Sequence, residues 1–460
     1  MQVLLISTYE LGHQPLGLAS PAAHIIAAGL PVKCLDLAVE PFDEEKVREA
    51  EFVGISVPMH TALRLGVKAA KRVRELNKRC HIGFYGLYAS LNGEYLLRTR
   101  ANSVIGGEYE SPLVNLLQRL NGKSNGGSYG VWTNFPTFEI FLGRQQFLPP
   151  VRNLLPPLQR YAHLDNGNGE LKMVGYVEGS RGCAHRCRHC PITPVYEGRL
   201  RIVQQDVVLQ DITNLVQMGA QHITFGDPDF LNGVKHSMRI VHRMKEQFPQ
   251  LTFDVTVKIE HILEHRSVIE ELGRLGCMFI LSAVESLNDD ILRYLDKGHT
   301  AADVIEALKI TRDANVTLRP SLVSFTPWTT LDDYLKVLEF VQEYDLIYNV
   351  DPVQYSIRLL VPPGSWLLNV PQMKPFITKL DEENFAYQWE HPDPRLDQVY
   401  QDVSQVVEQA ARMKEDPLIT FYKIKDLALR AMIGRRFSLT STKALSKSRR
   451  PPRLTESWFC

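Results

Sequence analysis

At 460 residues the chain is too long for one ordinary hydrophobic core, so two or three domains are expected. Basic and acidic residues both number 52, so the net charge indicates neither a nucleic-acid partner nor a membrane partner. The first residues lack the pattern of a secretion signal, and no apolar run reaches the roughly 18 residues that span a bilayer, so we expect a cytoplasmic protein.

Residues 1–120 alternate short apolar runs with helix-like segments, which is typical of a doubly wound parallel sheet. The predicted strands are Val3–Ser7, Val32–Asp36, Phe52–Val57, His81–Tyr85 and Ser103–Ile105. Turn residues follow these strands at the sheet edge where such folds bind ligands. Residues 121–170 begin with a stretch rich in Gly, Ser and Asn and are expected to be a linker.

Three cysteines stand close together in the run SRGCAHRCRHCPI. Cys183, Cys187 and Cys190 have the spacing C-x₃-C-x₂-C, with a glycine before them and a proline after them. Thiolates are the usual ligands of iron–sulfur clusters, and soft sulfur favours iron–sulfur, zinc or copper(I) over hard cations. Three cysteines without a fourth nearby would hold three corners of a cubane cluster and leave one iron open.

Two alternatives remain for this run. The same spacing places three side chains on one helix face, so the cysteines would also fit a buried core. The polar, basic residues between them and the flanking Gly182 and Pro191 favour a loop instead. The second alternative is a tetrahedral zinc site completed by His185 or His189, although the paired cysteines of zinc ribbons do not recur downstream.

The cysteine run resembles the cluster loop of radical SAM enzymes. In that family the open iron binds S-adenosylmethionine (SAM), and an electron from the four-iron four-sulfur cluster cleaves SAM to a 5′-deoxyadenosyl radical. The run Gly106-Gly107-Glu108 resembles the end of the cobalamin-binding domain that precedes many such enzymes. The resemblance therefore implies cobalamin as a further cofactor, bound without the histidine of an Asp-x-His-x-x-Gly motif, which is absent. A sheet that kept this shape without the cofactor is the alternative.

A second series of strand–helix units begins near residue 171. Its predicted strands are Val174–Val177, Ile223–Phe225, Phe253–Val257, Phe279–Ala283, Thr317–Ser324 and Val353–Ile357. They fit the radical SAM core, a partial (β/α)6 barrel, over residues 171–368, followed by a helical C-terminal cap over 369–432. The predicted fold class is therefore α/β, with a doubly wound, cobalamin-binding-like sheet, a partial barrel and a helical C-terminal region. Such barrels carry their active face at the carboxyl ends of the strands.

Polar residues follow these strands in the order that the family shows. Asp227 and Asp229 resemble the segment that meets the amino group of SAM, and Glu285 the segment near its ribose. Arg319 and Ser321 match positions that contact the adenine or the methionine carboxylate. Any one of these residues would fit a helix cap or a surface charge equally well. The assignment to SAM therefore depends on the order in which they follow the cysteine loop.

Residues 433–460 are expected to form a basic, flexible tail that ends in Cys460. With the segments GDPDFLNG and WEHPDPRLD, this end resembles the CUAEP/CCAEP-tail radical SAM proteins, which finish with cysteine, then selenocysteine or cysteine, then Ala-Glu-Pro. A selenocysteine codon read as a stop would explain an end at Cys460, and a natural terminus is the alternative. The resemblance implies a redox or metalloid site at Cys460.

The sequence thus predicts a radical SAM enzyme that cleaves SAM reductively at its cluster. The reaction would start radical chemistry, or assist methyl or alkyl transfer by cobalamin, on an unidentified substrate. It would need an electron donor such as flavodoxin or ferredoxin. The rival prediction is a zinc-binding module without catalysis that uses its basic tail on nucleic acid.

Overall fold

The computed structural model describes residues 1–123, 130–133, 139–433 and 450–456. Its first part is a six-stranded sheet with helices on both faces. In chain order the elements of this part are β1 (Val3–Ser7), α1 (Leu16–Ala27), β2 (Val32–Asp36), α2 (Glu44–Glu49), β3 (Phe52–Ser56), α3 (His60–Leu76), β4 (His81–Tyr85), α4 (Leu87–Leu91), α5 (Gly93–Thr99), β5 (Ser103–Ile105), α6 (Glu110–Leu120) and β6 (Val131–Trp132).

The first five strands run parallel in the order β2-β1-β3-β4-β5, and β6 adds an antiparallel edge. All residues of β1 and β3 are buried because helices cover both faces, which explains their continuous apolar runs. The five strands predicted for residues 1–120 are confirmed, and β3 ends one residue earlier than predicted, at Ser56.

The second part is a half-barrel whose parallel strands alternate with helices. The remaining elements are β7 (His163–Asp165), β8 (Leu171–Val177), β9 (Ser180–Gly182), α7 (Thr193–Tyr196), β10 (Leu200–Ile202), α8 (Gln205–Gln217), β11 (His222–Phe225), α9 (Val234–Gln247), β12 (Thr252–Thr256), α10 (Ile259–Glu264), α11 (Arg266–Arg274), β13 (Cys277–Glu285), α12 (Asp289–Leu295), α13 (Ala301–Asp313), β14 (Thr317–Leu322), α14 (Leu331–Glu343), β15 (Ile377–Asp381), β16 (Ala386–Trp389), α15 (Pro394–Met413), α16 (Pro417–Ile433) and β17 (Arg453–Leu454).

The half-barrel sheet has the order β14-β13-β12-β11-β8-β7-β17, and its first five strands are parallel. The prediction of a sixth strand at Val353–Ile357 is wrong. A 3-10 helix spans Pro352–Ser356 there, and only an isolated bridge joins Phe325 to Arg358. Pro352 donates no backbone hydrogen bond, which favours the first turn of a helix over a place in a sheet ladder.

Residues 450–456 are packed against the half-barrel, in contrast to the flexible tail predicted for them. Arg453 and Leu454 pair antiparallel with Asp165 and Leu164 of β7. On the opposite edge of the sheet, Nη1 of Arg319 lies 3.4 Å from the carbonyl oxygen of Pro452 as a hydrogen-bond donor. The segment therefore lies between the two edges of the open barrel, and the apolar contacts of Leu454 fix it there.

The C-terminal region is helical over α15 and α16, but the hairpin β15–β16 precedes these helices inside the region predicted as a helical cap. This hairpin carries Phe385, which is buried in the core of the first sheet domain and meets the Tyr95 ring edge-on at 5.1 Å. The hairpin thus joins the barrel to the first domain. Among the described residues, no helix has the length and apolar character needed to cross a membrane.

Candidate active site

A cavity of about 310 Å³ lies inside the half-barrel, mostly among residues at and after the carboxyl ends of its strands. The chemically active side chains that line it are Cys183, Cys187, Cys190, Asp227, Asp229, Asp254, Glu285, Lys258, Lys297, His13, His185 and His189. All three cysteines of the sequence motif therefore face one cavity, together with three of the five residues assigned to SAM.

The cysteine loop is held by a short hairpin and by the turn after α12. Gly182 ends β9 with a φ of +74°, and a Cβ there would collide with the carbonyl oxygen of Arg199, so this position needs glycine. The backbone N–H of Cys190 donates to Cys187 O at 3.2 Å. The N–H of Arg188 donates to Leu295 O at 2.9 Å, and this hydrogen bond joins the loop to the end of α12.

The surroundings of the cysteines suit metal-bound thiolates. Burial raises the pKa of Cys183 and raises that of Cys190 to about 12, so a free thiolate here is costly without a cation. Lys297 is buried close enough to interact electrostatically with Cys187 and Cys190. Asn232 Nδ2 donates to Cys183 Sγ at 3.5 Å. Three thiols on one cavity wall fit three ligands of a cubane cluster.

The Asp227 side chain is hydrogen-bonded to the residues just before the cysteine loop. Its carboxylate accepts hydrogen bonds from Gly179 N at 2.9 Å and from Ser180 Oγ at 2.5 Å. Burial raises its pKa to about 7, although these two hydrogen bonds act in the opposite direction. Asp227 therefore holds the strand end in place from a position on the cavity wall.

Asp229 lies between two histidines on the same wall. One of its oxygens accepts the N–H of Leu231 at 3.0 Å, and the other lies 2.8 Å from His261 Nδ1 and 3.3 Å from His185 Nε2. Burial alone would raise the pKa of Asp229, but His185 and His261 lower it to about 2. The side chain is therefore an anion at neutral pH.

Glu285 stands at a local irregularity at the end of β13. It has a φ of +65°, and the register with β14 shifts between Ala283 and Glu285. Its Oε1 lies 3.4 Å from Lys297 Nζ and 3.2 Å from His189 Nε2. Burial opposes ionisation, but Lys297 and then His189 outweigh it and lower the pKa of Glu285 to about 2.

Arg319 and Ser321 lie on β14 and are not among the residues that line the cavity. Arg319 is buried and pairs with Asp351 at 2.9 Å. Cys460 lies outside the described residues. Asp254 was not found by sequence reasoning, although strand alternation could have placed it inside the barrel. His13 and Lys297 also line the cavity, and their positions there depend on long-range packing.

A buried ion cluster joins the cysteine loop to the first domain. Arg181, two residues before Cys183, lies 2.8 Å from a Glu110 carboxylate oxygen and 3.3 Å from one of Glu108. Its Nε also donates to Glu178 at 2.8 Å. Burial raises the pKa of Glu108, and Arg181 only partly offsets this. The carboxyl edge of the first sheet thus meets the cysteine loop.

Residues 177–341 match the family model of the Radical SAM superfamily. An uncharacterized methyltransferase of Pyrococcus horikoshii is 22% identical over 365 residues, which are 76% of this chain and 76% of that protein. A putative methylthiotransferase of Methanocaldococcus jannaschii is 22% identical over 46% of this chain, and the chain spans about half of its length (48%). The cobalamin-dependent S-adenosylmethionine radical enzyme OxsB, solved with aqua-cobalamin bound, has a TM-score of 0.69 at 14% identity, over 89% of this chain and 67% of that chain.

The half-barrel and the cysteine loop fall within or beside the residues that this family model matches. Residues 177–341 form a radical SAM domain, and the protein is an enzyme. This domain implies a four-iron four-sulfur cluster and SAM as cofactors, and the cavity with its three cysteines fits them. The likeness to OxsB shows the fold of the larger part of the chain.

Proposed function

We propose that the protein cleaves SAM reductively at a cluster held by Cys183, Cys187 and Cys190, and that it acts on a substrate bound in the same cavity. The observation that carries this proposal is that the three thiols and two ionised carboxylates line the same cavity. When bound, the cluster supplies the electron that breaks the sulfonium carbon–sulfur bond of SAM.

The carboxylates of the cavity divide into two roles in this proposal. Asp229 and Glu285 are kept ionised by their neighbours, which suits an amino group and a pair of ribose hydroxyls respectively. Asp227 keeps its assignment to the SAM site through positioning, because its carboxylate holds the start of the cysteine loop. Arg319 and Ser321, which lie on β14, keep their proposed assignment to the adenine or the methionine carboxylate of SAM.

Anaerobic reconstitution with iron and sulfide tests the cluster. We expect a broad absorption near roughly 400 nm that bleaches with dithionite, as thiolate-bound iron–sulfur centres show. Cys183→Ala, Cys187→Ala and Cys190→Ala should each lose most bound iron, because each removes one of three protein ligands. Cys80→Ala is the matched control, since Cys80 is a buried cysteine of the first domain. Zinc retained in place of iron would favour the nucleic-acid-binding alternative, which the comparisons do not support.

Cobalamin-assisted methyl or alkyl transfer is the second candidate function. The strand order of the first sheet and the likeness to a cobalamin-dependent enzyme favour it. Tyr85, Tyr109 and Arg181 pack at the carboxyl edge of this sheet, with the Tyr rings 5.0 Å apart and the Arg181 guanidinium 5.0 Å from the Tyr109 ring.

Uptake of hydroxocobalamin by cluster-loaded protein separates the two candidates. Retention of one equivalent through gel filtration, with spectra that show no histidine at the lower axial position, supports the cobalamin candidate. Loss of cobalamin on the column would support the alternative, in which the first sheet has the cobalamin-binding fold but does not bind the cofactor. His13, on the loop after β1, stacks on Tyr176 at 4.7 Å inside the barrel cavity.

We also propose a small redox protein such as flavodoxin or ferredoxin as the electron donor, because the cleavage consumes one electron. The redox or metalloid role of Cys460 stays a prediction. Comparing the given chain with one extended by Cys-Ala-Glu-Pro tests that role, and equal turnover by both would remove it.

A further inference from the structure

One level of the half-barrel interior combines a carboxylate with aromatic rings. Tyr176, Thr224, Asp254 and Phe279 are register neighbours on β8, β11, β12 and β13, and all four line the cavity. His13 reaches the same level from the first domain and stacks on Tyr176. We call these five residues the cavity floor. It belongs to the same cavity as the cysteines but to none of the assigned SAM contacts.

The Asp254 carboxylate is held by two donors on one side. Its Oδ1 accepts the hydroxyl of Thr224 at 2.7 Å and lies 2.8 Å from His222 Nε2. His222 is fully buried and is itself oriented by Thr252 Oγ1 at 2.9 Å. Among the described residues no hydrogen bond reaches Oδ2. One oxygen is therefore fixed by the protein, and the other is left for a ligand in the cavity.

No lysine or arginine of the described residues pairs with Asp254. The cations near the cavity are each paired with another acid, namely Lys258 with Glu260, Lys297 with Glu285 and Arg319 with Asp351. Burial lowers the pKa of His13 to about 4, so its ring adds no positive charge at neutral pH. The only basic partner of Asp254 among the described residues is His222, which contacts Oδ1, so a cationic ligand at Oδ2 gains from a buried carboxylate that no lysine or arginine neutralises.

The aromatic residues of the floor favour the same kind of ligand. Organic cations are attracted to the faces of aromatic rings, and this attraction strengthens where water is excluded. Leu454 of β17 packs near Phe279 and lines the cavity, so the C-terminal segment helps to exclude water from the floor.

We propose that the cavity floor is the substrate-binding site and that it recognises an organic cation, an ammonium or guanidinium group, through Asp254 Oδ2 and the rings of Tyr176 and Phe279. This assignment rests on the proposed function, since it takes the other end of the cavity to hold the cluster and SAM. It gives the substrate a chemical class: a small molecule or side chain that carries a protonated amine or guanidine close to the reacting carbon.

Two probes of equal size but different charge test the floor. Benzylamine and benzyl alcohol are titrated by ligand-observed NMR into cluster-loaded protein that is saturated with SAM and kept without reductant. We expect benzylamine to bind about tenfold more tightly than benzyl alcohol, because charge-assisted hydrogen bonds are roughly twice as strong as neutral ones. In Asp254→Asn the two dissociation constants should become equal. In Asp290→Asn, which removes an exposed carboxylate of α12, the preference should remain.

Each outcome decides the assignment. Equal binding of the two probes by the unmodified protein, or no binding of benzylamine, overturns it. So does a preference that survives in Asp254→Asn, or binding of benzylamine only in samples without SAM, which would assign the floor to SAM. If Asp254→Asn does not fold, Thr224→Val serves instead, because it removes one donor and keeps the charge, so the benzylamine preference must persist. Iron content and SAM binding, measured on the same samples, report separately on the proposed function.

Discussion

Arg181→Met removes the cation from the ion cluster between the first domain and the cysteine loop. The Arg181 side chain is only 9% exposed and faces the carboxylates of Glu108, Glu110 and Glu178. Methionine keeps much of the volume but leaves three acids without their common partner. Removal of one member of a buried ion pair typically costs about 3–5 kcal/mol of unfolding free energy. Protonation of Glu108, whose pKa burial already raises, should make the loss smaller at pH 6 than at pH 8.

A matched control exists on the surface of the barrel. Arg266 also lies within 4 Å of three carboxylates, Glu270, Glu306 and Asp313, but its side chain is 45% exposed. Arg266→Met should therefore cost only about 0–1 kcal/mol. Urea unfolding followed by circular dichroism, at equal cluster content, measures both variants. An equal loss in the two variants would refute the reasoning that burial of the ion cluster holds the loop against the first domain.

Three further changes have expected outcomes. Burial raises the pKa of Glu10 to about 8, so this group costs stability progressively as the pH rises from about 4.5 to about 8. Glu10→Gln should raise the unfolding free energy at pH 8 by about 4 kcal/mol and have little effect at pH 4.5, and an equal effect at both pH values would contradict this. Removal of residues 450–460 should speed amide hydrogen exchange at His163, whose N–H donates to Thr455, and unchanged exchange would show that β17 does not hold this edge. Thr300→Ala breaks the capping box of α13 and should cost about 1 kcal/mol in urea unfolding, whereas no loss would show that the cap is not needed.

The first sheet was predictable because its parallel strands are buried on both faces. Each strand then reads as a continuous apolar run between turn residues, as in Val3–Ser7 and His81–Tyr85. The segment Val353–Ile357 alternates apolar and polar residues, as a half-buried strand does, but it follows Pro352 and lies beyond the last paired strand, where a 3-10 helix forms instead. Strand β17 was not predictable, since two residues carry no periodicity and its pairing with β7 is a contact across the whole chain.

The cysteine spacing predicted a shared site, and the structure brings Cys183, Cys187 and Cys190 to one cavity. The role of Asp227 as a clamp on the cysteine loop did not follow from the sequence, because its partners come from a different strand end. The ion pair of Lys297 was not predicted either. Its contact with Glu285 depends on the turn after α12, which folds back beside the cysteines. Assignments to SAM remain predictions for all five residues named from the sequence.

The measurement that tests the central claim most directly is the formation of 5′-deoxyadenosine. Reconstituted protein is incubated with SAM and dithionite, and the product is quantified by mass spectrometry. We expect 5′-deoxyadenosine from the unmodified chain and from Cys80→Ala. We expect none above background from Cys183→Ala, Cys187→Ala or Cys190→Ala. Two results would contradict the proposed function: as much 5′-deoxyadenosine from the three cysteine variants as from the unmodified chain, or none from the unmodified chain when its cluster is complete.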